Sequence, residues 1–426
     1  MNNYEDHKTR TLWFVGALHA FTHVYHVALM PLYLFIQKDF NLASVGSATL
    51  LVTVMMVSYF LPSYVMGVAA DRWNRKKLLG WGLVINSLGF VLLSFAPNYP
   101  CAVAAMIFAG LGGSFYHPAA TAMVARLFPG TTGKALGLTG IGASVGFFFG
   151  PIYTGWRVTT LAATQGDAAW RQPILELGVL GLIMAAVFAW LAKNEPPPPS
   201  LKQHAARTEK MFPTAALWLL FLSAALAFSL RDFTGASMGS LGSLFLQKAR
   251  GWDAKTTGLA LSLMFIASAV SNPLFGHLSD RGRIRWSATV MIVASVLVLA
   301  FPHLPAGWTI PAFAAYGFFL MASYPMVEAA LMESVPDSVR GRVFGVFITV
   351  GGLLGNLSHW VVGAWVRHLG DSAYTVSGYF ATYAVLAGMI IVSLIGLPCL
   401  HAIRRREHLD DVISQSIPAD QAARKS

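Results

Sequence analysis

The chain is poor in charge. Only 12% of its 426 residues are Asp, Glu, Lys or Arg, where a water-soluble domain carries about 25%. Cysteine is scarce too: Cys101 and Cys399 are the only two, which excludes a disulfide framework and a cysteine-built metal centre. There is no Gly-x-x-x-x-Gly-Lys-Ser/Thr loop, so an ion gradient rather than nucleotide hydrolysis is expected to supply energy. The loops are short and hold no nucleophile paired with a base and no ligand cluster. A membrane enzyme is therefore not expected, and neither is a cofactor. The opening MNNYEDHKTR lacks the design of a secretory leader, and the first apolar stretch is expected to remain as a span.

What is present is apolar. Hydrophobic residues make up 55% of the chain, and their runs recur from end to end at bilayer-spanning length. Twelve helical spans are predicted: 11–36, 44–70, 78–97, 100–127, 135–157, 173–192, 213–246, 257–279, 286–302, 308–334, 342–366 and 377–400. Spans 1 and 7 exceed what a bilayer needs, so each is expected to tilt or break, span 7 at the Gly- and Ser-rich FTGASMGSLGS. The net charge of +11 does not point to nucleic acid. Lys and Arg gather in connections on the side of the N-terminus, as membrane orientation requires. This places the chain in the inner (cytoplasmic) membrane with both termini in the cytoplasm. Cys101 and Cys399 then lie on opposite faces, about 30 Å apart, too far to bridge.

The longest inner connection, AKNEPPPPSLKQHAARTEKMF, reads as a linker. The expected organisation is a six-helix bundle over 1–192, a linker over 193–212, a second bundle over 213–400 and a cytoplasmic tail over 401–426. The halves look like repeats. YLFIQKDF (33–40) is echoed by SLFLQKAR (243–250), GVAADR (67–72) by GHLSDR (276–281), Tyr116 by Tyr324, and GKALG (133–137) by GRVFG (341–345). Four matches in one order and register imply paired six-span halves, a transporter design with its site between them.

GVAADRWNRKK, between spans 2 and 3, resembles the loop signature of the major facilitator superfamily, and GHLSDRGRIR resembles its second copy between spans 8 and 9. Asn74 stands where that signature usually has Gly. A narrower stretch, GLGGSFYHPAATAMVARL (110–127), is similar to span 4 of the fosmidomycin-resistance-type exporters. The resemblance implies an all-α major facilitator fold of two pseudo-symmetric bundles, acting as a monomer by alternating access. It also implies a gate. Gly67, Asp71, Arg72 and Arg75 would close against the start of span 11, and Gly276, Asp280 and Arg281 against the start of span 5 near Thr132. In span 5, Gly142, Gly146 and Gly150 recur every four residues on one face, and Pro151 follows. Gly146, Gly150 and Pro151 resemble the family's antiporter motif, with Thr154 at the first Gly of its closing pair, and favour export.

In the family, spans 1, 4, 7 and 10 line the cavity, and most of the embedded ionisable groups fall there. His19, His23 and His26 lie within one narrow arc of span 1 at about 100° per residue. Polar groups at membrane depth face protein or water and mark pathways or proton relays. The candidate substrate-binding residues are His19, His23, His26, Tyr116, His117, Arg231 and Tyr324. Arg231 suits a phosphonate or carboxylate because guanidinium binds oxyanions as a fixed fork. Asp232 and Glu328 are the candidate proton-coupling residues, with Glu333 a further acid at the end of span 10. The alternatives are bland. In them Arg231 is neutralised by Asp232 or Glu328, and His117 only shapes a bend before Pro118. His359, Glu176 and Arg157 read as structural. Many proton–drug antiporters carry an Arg within span 4, and the stretch AVAAMIFAGLGGSF has none, so coupling would rest on the histidines, Asp232 and Glu328.

The expected function is a proton-coupled, multi-pass efflux antiporter for a small anionic or amphipathic compound, with protons and the lipid bilayer as its other partners. A second reading is a proton-coupled uptake symporter for an organic anion. A third is a carrier of a metal ion or chelate, since His19 and His23 at i and i+4 could share an ion, although no dedicated metal site is expected.

Overall fold

The computed structural model describes residues 2–128, 132–194, 210–279, 282–336 and 339–416. In the hydrocarbon core every backbone N–H and C=O must be bonded within the chain, which leaves helices or a closed barrel. The described residues form helices and no strand.

Span 1 is Asn2–Val27, a tight turn Met30–Leu32, and then Tyr33–Asp39. Span 2 is Val45–Phe60 and Ser63–Arg72, span 3 is Arg75–Ser94, and span 4 is Tyr99–Gly113 and Tyr116–Leu127. Span 5, Thr132–Gln165, turns through Gly166–Trp170 into span 6, Arg171–Leu191. Gly166 sits at φ +58°, a conformation that glycine adopts without strain. Unreversed, the 57 residues Ala135–Leu191 would reach about 85 Å as one helix, so they make two crossings. Span 7 is Ala215–Lys248, span 8 is Ala254–Ile266 and Ser268–Ser279, span 9 is Arg283–Ala300, and span 10 is Thr309–Met332. Span 11 is Arg340–Asn356 and Ser358–His368, and span 12 is Phe380–Ser393 continuing as Gly396–Ser416. Exposed Leu92, Ile183, Val270, Val296 and Ile391 form an apolar exterior suited to lipid, and exposed Trp73, Trp190 and Trp308 stand at helix ends, where aromatic rings anchor spans.

Three details differ from the sequence reading or sharpen it. Span 7 does not break; it is one helix of 34 residues. A break would expose backbone groups at membrane depth, and its small residues serve packing instead. Gly235 lies against Tyr324, Gly239 against Met30 and Gly242 against Phe313. Span 12 runs on as helix to Ser416, because the end of an apolar run marks the end of the bilayer core rather than of the helix. Asn74 caps span 3, its side chain accepting from the Lys77 N–H at 2.9 Å and donating to Asn194 at 3.0 Å. An N-cap favours Asn, and its negative φ of −66° needs no glycine.

The first six spans pack mainly on one another, as do the last six. The two groups meet through spans 5 and 8 and through spans 2 and 11. On the face away from the termini this seam is tight. Gly46 packs on Gly363, and Gly155 on Ala254 and Gly258. Ser243 donates to the Met30 carbonyl at 2.6 Å, Ser262 to the Phe148 carbonyl at 2.6 Å, and Thr53 to the Asn356 carbonyl at 3.3 Å. Phe147 stacks on Phe265 across the seam, centroids 4.9 Å apart. Toward the face that carries the termini the packing of the same four spans loosens. A side chain added at Gly67, Gly137, Gly276 or Gly345 would meet nothing within 4 Å among the described residues. Among those residues the seam is therefore tight toward one face and looser toward the other.

A Cβ at Gly258 would strike the Pro151 carbonyl, and overpacking of this kind costs about 1–3 kcal/mol. Gly258→Val is expected to weaken the seal. In a chain with both native cysteines changed to Ser, Thr49→Cys, buried beside Gly363, should resist a membrane-impermeant maleimide. Adding Gly258→Val should make it react. Equal labelling with and without Gly258→Val would show that the glycine seam does not hold this face shut.

Candidate functional site

The span 1 stripe faces inward. His23 and His26 are buried and His19 is half-buried. His19 donates from Nδ1 to the Thr139 carbonyl of span 5 at 2.9 Å. A carbonyl only accepts, so this bond fixes the proton on Nδ1 and leaves Nε2 as a lone pair. His23 Nε2 lies 3.1 Å from that lone pair. Span 4 adds His117, whose ring stands 5.2 Å from His19 and 5.9 Å from His23, centroid to centroid. Tyr116 stacks on His19 at 4.7 Å and donates to the Val15 carbonyl at 2.9 Å, tying span 4 to span 1. Four histidines, from spans 1 and 4, thus form one group. His23 Nδ1 and His26 Nε2 have no hydrogen-bond partner, and no carboxylate touches the four rings among the described residues.

The second group belongs to spans 7 and 10. Arg231 is buried and donates from Nε and Nη2 to one oxygen of Asp232, at 2.9 and 2.8 Å. Its Nη1 donates to the Ser323 carbonyl at 3.2 Å, and its guanidinium lies over the Tyr324 ring at 4.1 Å. Asp232 rests against Gly351 and Gly355 of span 11, where a Cβ would meet its side chain. Glu328, one turn beyond Tyr324, is half-buried and has no hydrogen bond or ion pair among the described residues. Here Arg231 is engaged by Asp232 rather than presented to solvent, and Glu328, near enough for its charge to act on Arg231, is the acid left without a hydrogen bond among the described residues. Glu333 is bound by Arg283 at 2.6 Å and Arg404 at 3.3 Å, and Glu176 by Arg157 at 2.7 Å, so both acids are paired.

The glycine stripe of span 5 does what its spacing suggests. Gly142 meets the Gly16 carbonyl, Gly146 the Ala20 carbonyl and Gly150 Val24 and Val27, all on span 1. Thr154 donates to the Gly150 and Ala28 carbonyls at 3.0 and 2.9 Å. Span 5 stays helical through Pro151. Of the gate residues, Arg75 donates to the Ala70 carbonyl at 2.8 Å and the Ala122 carbonyl at 3.4 Å, joining spans 2, 3 and 4. Arg72 is exposed, and open space adjoins Gly67 and Gly276. Asp280 and Arg281 lie outside the described residues, as does the side chain of Asp71.

Sequence reasoning missed three contributors. Tyr59 stands edge-on to His26 at 4.8 Å, and Phe147 lies on His23 at 4.2 Å. The third is a chain of polar groups across the seam: Tyr33 to Ser240 at 2.9 Å, Ser240 to His359 at 2.6 Å, and His359 to Asn356 at 3.2 Å. The repeat hinted at the first link, since Tyr33 heads one of the echoed segments. Nothing in the sequence singled out Tyr59 or Phe147.

Comparison with known proteins accords with this architecture. The chain is 26% identical over 373 residues to the multi-drug resistance efflux pump PmrA of Streptococcus pneumoniae, covering 84% of this chain and 89% of that one. It is 22% identical to the quinolone resistance protein NorA of Staphylococcus aureus, over 86% and 90%. Among solved structures it resembles a bacterial homologue of the human lysosomal transporter Spinster, crystallised inward-facing and unoccupied, at a TM-score of 0.77 and 17% identity over 94% and 98% of the two chains. Residues 12–359 match the family model of the Major Facilitator Superfamily, and the chain belongs to that family of multi-pass membrane transporters.

Proposed function

We propose that the protein is a proton-coupled exporter. A small anionic or amphipathic compound leaves, and protons enter, through one site between the two six-span halves. The observation that carries this reading is Glu328, without a hydrogen bond or ion pair among the described residues, beside the buried Arg231–Asp232 pair, in a molecule whose inter-half seam is tight toward one face and looser toward the other. Unpaired charge at membrane depth is costly and is kept for function. The termini lie in the cytoplasm, so the looser side faces inward. His19, His23, His26, Tyr116, His117 and Tyr324 contact the substrate. Arg231 supplies positive charge for an oxyanion when Glu328 or Asp232 takes a proton. Asp71, Arg72 and Arg75, with Asp280 and Arg281, close the inner side in the alternate state, and residues 193–212 link the halves. The protein works as a monomer.

Export is supported by relatives that pump drugs, and an anionic cargo by Arg231 and by the likeness of residues 110–127 to fosmidomycin-resistance-type exporters. The test is uphill flux in proteoliposomes. With the lumen more acidic than the bath, the chain should concentrate a labelled phosphonate or amphipathic anion inside, in exchange for exiting protons. Accumulation only with the opposite gradient would identify the uptake symporter. No accumulation in either direction would remove the proton from the mechanism.

A further inference from the structure

One ring nitrogen from each of His19, His23 and His117 lies within 4.8 Å of the other two. We propose that these three histidines hold a divalent transition-metal ion of the zinc–cobalt–nickel class, together with an anionic oxygen ligand that enters with it. Imidazole is the ligand these ions favour, whereas magnesium and calcium require oxygen donors that the three rings do not offer. Metal–nitrogen bonds of about 2.0–2.1 Å place tetrahedral ligands about 3.3 Å apart. His19 and His23 are already at 3.1 Å, and His117 has only to move inward.

Two observations favour an ion over ordinary packing. The Nδ1 bond of His19 to the Thr139 carbonyl is the outer-shell contact that orients a metal-binding imidazole and leaves Nε2 for the metal. The Nε2 atoms of His19 and His23 converge at 3.1 Å, so both lone pairs can meet one ion once His23 carries its ring proton on Nδ1, which has no hydrogen-bond partner among the described residues. Three neutral rings and no carboxylate leave the ion's two charges uncompensated. A carboxylate in the fourth position offsets one of them and a doubly ionised phosphonate both, so the species bound is a metal–oxyanion complex. This goes beyond the proton-coupled reading, and a binding test in detergent does not depend on coupling.

The test is titration of the purified, tag-free chain with Co²⁺ in the presence of acetate. The visible d–d bands of four-coordinate cobalt are expected, abolished by Zn²⁺. His19→Gln and His117→Gln should each weaken binding at least about tenfold, the size of loss that even an outer-shell change causes. His303→Gln, at a histidine stacked on Phe380, should leave it unchanged. His117→Cys should keep cobalt and add a thiolate-to-metal charge-transfer band, which a structural role cannot produce. No d–d bands in the unmodified chain would overturn the proposal. Undiminished binding in both Gln variants, or a His117→Cys chain that binds cobalt without the new band, would overturn it too.

Discussion

Asp232→Asn is expected to abolish transport and to lower thermal stability more than any other single change in the two polar groups. Arg231 is 1% exposed, and among the described residues Asp232 is its one anionic partner within hydrogen-bond reach. An asparagine leaves the guanidinium buried at membrane depth with no carboxylate in hydrogen-bond contact, and Glu328 acts on it only from farther away. Breaking a buried pair from one side costs about 3–5 kcal/mol. Replacing both members with apolar residues of similar volume is expected to cost much less, because no charge is then stranded. Thermal unfolding in detergent of Asp232→Asn, Arg231→Met and the double variant measures this. The double variant should unfold above Asp232→Asn yet still fail to transport. If Asp232→Asn unfolds like the unmodified chain, the pair is not the electrostatic centre of span 7.

Glu328→Gln carries the second large effect, and it is selective. The amide keeps the size of the acid and mimics its protonated form, but it cannot release a proton. No hydrogen bond or ion pair of Glu328 is lost among the described residues, so folding should be spared. Uphill flux driven by a pH gradient is expected to fall to the level of empty liposomes. Exchange of labelled for unlabelled substrate across equal pH should persist, since exchange needs substrate movement but no net proton transfer. Loss of both activities would make Glu328 a binding residue; retention of both would place the coupling proton on another group.

How much of this was legible in the sequence depended on the range of each interaction. Spans were legible because each is a continuous apolar run, and the glycine stripe of span 5 because its period is local. The inward turn of His19, His23 and His26 followed from helical periodicity and the cost of polar groups in lipid. That His117 would join them did not follow, because it lies far along the chain and only the packing of span 4 on span 1 brings it there. The cradle of Gly351 and Gly355 around Asp232 was hidden for the same reason: the glycines are on span 11 and the acid on span 7. Sequence misled at FTGASMGSLGS, where a composition that breaks helices in water instead makes room for Tyr324, Met30 and Phe313. At the end of span 12 the helix outlasts the hydrophobicity, so its continuation into the tail was not legible.

The central claim is that substrate and protons move in opposite directions through one carrier. Its most direct test is an interior pH dye in proteoliposomes with no imposed gradient, to which a phosphonate or amphipathic anion is added outside. Substrate running inward should drive protons out, so the account predicts that the lumen becomes more alkaline, and that Glu328→Gln removes the signal. A lumen that acidifies, or one that stays constant while labelled substrate crosses, would contradict it.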